Sequence, residues 1–95
     1  MKFCYPAIFS PSSDGSIRVR FPDLEGCAVT GRDTDEAMDA AKEAEINWIT
    51  LELDEGGDLP PMSDPADLRA QVDAAAGETL RNVAVNIRFM EGYDE

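Results

Sequence analysis

The chain is 95 residues long and 43% hydrophobic, with one Trp, four Phe and two Tyr; this suits one small packed domain and excludes a disordered tail or a membrane span. Its 20 acidic residues against 8 basic ones give a formal charge of -12, which opposes phosphate backbones and steers in basic partners. There is no His, so the commonest general base, the commonest metal ligand and every Ser-His or Cys-His nucleophile pair are excluded.

The first element, KFCYPAIFS, alternates Phe3, Tyr5, Ala7 and Phe9 with Cys4, Pro6 and Ile8, and reads as a strand covered on at least one face. Pro6 removes a backbone donor, so either that position faces away from a neighbour or the strand is locally irregular. Pro11, Asp14 and Gly15 then supply hairpin-turn chemistry. The second strand, SIRVRF, is the cleanest alternation: Ile17, Val19 and Phe21 on one face, Arg18 and Arg20 on the other. After the Pro-Asp-x-x-Gly-Cys turn, CAVTG gives a short third strand paired with the second.

The run from Arg32 to Gly57 carries helix signals. Asp33 or Thr34 is the N-cap, Asp35 and Glu36 complement the positive helix end, and Gly56 and Gly57 close it. Ala37, Ala41, Ala44, Trp48 and Leu51 follow the helical period, broadened by Met38, Ile49 and Leu53. DLPPMSDP is an extended connector. A shorter helix follows, capped by Ser63 or Asp64, with Leu68 and Val72 inward and Gly77 as terminator. NVAVNIRF alternates Val83, Val85, Ile87 and Phe89 and forms a fourth strand. The expected fold is α+β: a two-layer β-β-β-α-(α)-β domain over residues 1–95, a four-stranded sheet with one main helix on one face.

Cys4 and Cys27, in a chain whose opening does not read as a signal peptide, are expected to remain thiols in a cytoplasmic protein. Carboxylates for a two-metal nuclease should project from strand interiors, yet Asp14, Asp23, Glu25, Asp33 and Asp35 lie in turns or at a helix start. No phosphate-loop spacing occurs either. No catalytic, cofactor or metal residue is assigned. One feature runs against the bulk charge: Arg18, Arg20 and Arg88 share the sheet face away from the helix with Thr30, Ala84 and Asn86. That face is either solvated or a self-association surface, giving a homo-oligomer.

The segments YPAIF at 5–9, DG at 14–15, FPDLEGC at 21–27, TGRDTDEAMDAAKEA at 30–44 and LPPMS at 59–63 resemble the HicB antitoxins and their relatives at consistent spacing. The resemblance implies a partial RNase H-like fold without an active site. It also implies an antitoxin that binds and masks HicA, a small basic RNA-cleaving toxin with a double-stranded-RNA-binding-like fold. Many members append a DNA-binding domain; this chain stops six residues after Phe89, so no C-terminal DNA-binding domain and no direct DNA binding are expected. The alternative is a stand-alone oligomeric HicB-like module without a toxin partner. The toxin-contacting residues are expected among the acids near the turn and helix: Asp23, Glu25, Asp35 and Glu52.

Overall fold

The computed structural model describes residues 2–87. Strand β1 (Lys2–Pro11) turns into β2 (Ile17–Arg20), and a loop leads to β3 (Ala28–Gly31). The helix α1 (Thr34–Asp54) follows, then α2 (Pro65–Leu68), two 3-10 turns at Arg69–Gln71 and Ala74–Ala76, and β4 (Thr79–Asn86). All sheet neighbours are antiparallel, in the order β3-β2-β1-β4. This is the expected α+β architecture, four strands with one main helix. Arg88 and Phe89 of the expected fourth strand lie outside the described residues, as does the tail after them.

The hairpin after β1 is closed by Asp14, whose Oδ1 accepts from the Ser16 N–H at 3.0 Å and the Ser16 hydroxyl at 2.6 Å. β1 pairs with β4 from Lys2 to Phe9 but with β2 only from Ile8 to Pro11. Pro6 therefore has a strand on one side only, which answers where its missing donor can be tolerated. β4 starts at Thr79, three residues before the expected strand, because the length of β1 holds Thr79, Leu80 and Arg81 in register.

Asp33 is the N-cap of α1, accepting from the Glu36 N–H at 2.8 Å. Glu36 reaches back to accept from the Arg32 N–H at 2.7 Å and from its guanidinium at 3.0 Å. The Asp33 bond is one half of a capping box; the Glu36 half is displaced by one residue, ending on Arg32 before the N-cap rather than on Asp33 itself. The face of α1 against the sheet is Ala37, Ala41, Glu45 and Ile49, spaced by four. Small alanines at its head let the helix sit close to β3, and they pack on Tyr5, Ala7, Phe9, Val19, Val83, Val85 and Ile87. Leu51, expected in this stripe, is instead 59% exposed: three residues after Trp48 the helix has carried it out to the flank.

The sheet face away from α1 is not left open. Ile8 and Leu68 are buried yet stand outside the helix-side cluster, and Pro6 is fully buried on the same face as Ile8. Ser10 and Arg20 share that face by register. The Ser10 hydroxyl donates to Glu78 at 2.8 Å, and Arg20 donates to the Gln71 carbonyl at 3.2 Å and to Glu78 at 3.4 Å. The segment from the connector to Glu78 therefore straps across the second face, with Leu68 as its apolar contribution. Of the three arginines assigned to a self-association face, Arg18 is exposed, Arg20 is engaged by this strap and Arg88 lies outside the described residues.

Candidate partner-binding surface

The loop from Phe21 to Cys27 is built as successive turns: the Leu24 N–H donates to the Phe21 carbonyl at 3.1 Å, and the Cys27 N–H to the Leu24 carbonyl at 3.0 Å. Every third residue, Phe21, Leu24 and Cys27, enters the core. Gly26 sits at φ 78°, a left-handed position that a side chain would strain. Asp23 points the other way and clasps the connector, one oxygen accepting from the Ser63 N–H at 2.8 Å and the other from the Ser63 hydroxyl at 2.5 Å. A second tie comes from the Tyr5 hydroxyl, which donates to the Pro60 carbonyl at 2.6 Å. The FPDLEGC and LPPMS segments are therefore two halves of one structural clasp.

Trp48 ties the same loop to α1, its indole N–H donating to the Glu25 carbonyl at 3.0 Å. Between them runs an open groove of about 350 Å³, floored by Cys27 and Ala28 and walled by Ala44, Asn47, Trp48 and Leu51. A smaller hollow of about 160 Å³ lies elsewhere, lined by Phe9, Pro11, Ile17 and Arg81 among others. There the Arg81 guanidinium stands 5.4 Å from the Phe9 ring centroid, a cation-π contact that partly closes it.

Glu45 is the residue that the sequence reading missed. It is 0% exposed, and neither carboxylate oxygen has a hydrogen-bond partner among the described residues. Burial pushes its carboxyl up to about 7; the nearby Tyr5 backbone lowers it only in part, without forming a well-aligned bond. Burial, then the Glu45 charge, pushes the Cys27 thiol up, which favours its protonated form. Tyr5 is likewise raised by burial, with smaller contributions from Asp23 and Glu45. Both cysteines are free.

The four acids expected at the partner surface do not form one patch. Asp23 is occupied by Ser63, whereas Glu25 is exposed beside Trp48. Asp35 and Glu52 stand near opposite ends of the 21-residue α1, roughly 25 Å apart at 1.5 Å per residue. Glu52 is half-buried and folds back over Gly57. Exposed acids outside the four expected ones include Asp39, Glu43 and Asp54 on α1 and Glu55 at its C-cap. Among the described residues, no cluster of His, Cys, Asp or Glu could hold a metal ion, and no helix is long and apolar enough to cross a membrane.

Residues 5–93 match the family described as HicB-like antitoxin of bacterial toxin-antitoxin system. Among solved structures, a chain of the HicA3 and HicB3 toxin-antitoxin complex is 26% identical at TM-score 0.66; the match covers 84% of this chain and 94% of that one. A chain of the toxin-antitoxin complex from Streptococcus pneumoniae is 21% identical at TM-score 0.80, over 100% of this chain and 79% of that one. The N-terminal domain of the Burkholderia pseudomallei antitoxin HicB is 22% identical at TM-score 0.75, over 90% of this chain and 100% of that one. The last two likenesses speak for the fold alone. No curated protein matches the sequence.

Proposed function

The chain belongs to the HicB-like antitoxin family of bacterial toxin-antitoxin systems, and on that premise we propose that it binds a small basic HicA-type toxin and neutralises it by masking. The observation that carries this reading is the family match over residues 5–93. The formal charge of -12 supports it, because opposite fields speed encounter with a basic RNA-binding protein while keeping RNA away. The proposed mechanism is occlusion rather than catalysis, a reading supported by the burial of Glu45 and by the raised Cys27 thiol.

The test is co-expression with the small basic protein encoded beside this chain. Growth arrest by that protein should be relieved, and the purified pair should associate at least tenfold faster at 50 mM than at 500 mM salt, because screening shortens the reach of the field. Absence of any such neighbour, or no rescue and no binding, overturns the reading.

One observation favours a second reading, a self-associating module. Among the described residues β4 is an edge strand, and from Thr79 to Val85 it carries no Pro and a single charge, Arg81, which is drawn over the Phe9 ring, so little blunts the edge. Pairing of two β4 edges would give a symmetric dimer. Light scattering should then show twice the chain mass at micromolar concentration; a monomer throughout that range removes this reading.

A further inference from the structure

The groove between the Gly26 loop and α1 joins three features that rarely coincide on the surface of an acidic chain. Its walls are mostly apolar, with Asn47 the one polar side chain, Trp48 fixed in place by its bond to the Glu25 carbonyl and Leu51 left 59% exposed. It is open to solvent along its length, so it suits a protruding side chain better than an enclosed small molecule. Its rim carries one sign of charge. Glu25 comes from the loop, Glu43 lies one turn before Asn47, and Asp54 and Glu55 lie one turn beyond Leu51; all four are exposed. The single lysine of α1, Lys42, falls on the opposite flank of the helix.

We propose that this groove is the docking site for the basic protein partner, which seats an aliphatic or aromatic anchor against Trp48 and Leu51. Lysines or arginines flanking that anchor meet Glu25, Glu43, Asp54 and Glu55. A rigid tryptophan beside a solvent-exposed aliphatic, ringed by charge, is the pattern of an interface centre with a polar rim. The rim decides the occupant. A second copy of this chain would bring its own charge of -12 and, in a symmetric pairing, the same acids against these acids. A basic partner meets no such opposition and neutralises the rim. The proposal rests on the antitoxin reading above and locates its contact surface.

The experiment measures affinity between the purified chain and the small basic protein encoded beside it, by calorimetry at 150 mM salt. Leu51→Lys should weaken binding at least tenfold, because it removes the apolar contact and brings a cation to a surface that receives cations. Met62→Lys is the control, since Met62 is 60% exposed outside the groove and the charge change is the same; it should alter affinity less than threefold. Both residues are exposed, so both variants should retain the wild-type urea midpoint. If Leu51→Lys and Met62→Lys bind alike, the groove is overturned while the antitoxin reading stands. If the unmodified chain does not bind, the reading itself fails and the groove falls with it.

Discussion

Glu45→Leu is expected to raise the stability of the domain at pH 8 and to remove most of the change in stability between about pH 4.5 and pH 7. Glu45 occupies the middle of the stripe formed by Ala37, Ala41 and Ile49, facing Tyr5 of β1 and Cys27 at the end of the loop. On that side β2 reaches only as far as Ile8, so the backbone around Tyr5 lacks a strand neighbour there. Yet neither Glu45 oxygen makes a hydrogen bond among the described residues. A buried carboxylate without partners is stabilised mainly by keeping its proton, which is why burial pushes it from 4.5 to about 7.

The direction with pH follows from proton counting. Below about 4.5 the group is protonated in folded and unfolded chains alike and costs nothing through ionisation. Between about 4.5 and 7 the unfolded chain releases the proton while the folded chain retains it, so stability falls as pH rises. Above about 7 both forms are ionised and the full penalty is present, roughly 3 kcal/mol for a shift of this size. Leu removes the penalty and fills the site with apolar volume, so a gain of about 2–3 kcal/mol at pH 8 is expected in urea unfolding. Glu45→Gln should flatten the pH profile with a smaller gain, because its amide still lacks partners. Parallel pH profiles for the wild type and Glu45→Leu would sink this account.

Glu45 also shows where sequence reading stops. Ala37, Ala41 and Ile49 define a four-residue ladder whose missing rung is position 45, but a carboxylate at that rung contradicts the rule that charges stay outside, and residue type outweighed periodicity. Leu51 is the converse: its apolar character placed it in the stripe, although its angular position lies on the flank with Asn47. The caps, the hairpin and the alternation of β2 were legible because each depends on residues within about four positions of one another. The strap was not. Its ties join Asp23 to Ser63, Tyr5 to Pro60 and Arg20 to Gln71, contacts across 40 to 55 residues with no periodic trace. Of the acidic surface, Glu25 and Asp35 were legible as exposed acids, but where Glu43 and Asp54 stand depends on how α1 seats on the sheet. That seating depends in turn on one glycine.

Gly31→Ala is the substitution expected to cost most, about 3 kcal/mol or more. Gly31 ends β3, pairs with Ile17 and is buried beneath the first turn of α1. A Cβ there would collide with the Ala37 N and Cα and lie 2.8 Å from the Glu36 carbonyl carbon. All three are backbone atoms, so no rotamer change relieves the clash, and the helix start must move away from the strand. Overpacking typically costs about 1–3 kcal/mol where side chains can adjust, and more where they cannot. Moving this turn also disturbs the Asp33 cap and the Ala37 N–H to Asp33 carbonyl bond of 2.9 Å. Gly15→Ala is the matched control: it suffers the strain of φ 90° but meets nothing within 4 Å, so about 1 kcal/mol is expected. Urea unfolding of the two variants checks the contrast, and a Gly31→Ala midpoint equal to that of Gly15→Ala would refute the close-approach explanation. In the co-expression assay Gly31→Ala should rescue less because a smaller fraction of the chain is folded, whereas Leu51→Lys should fail with its fold intact. Comparing the two separates loss of the scaffold from loss of the contact it carries.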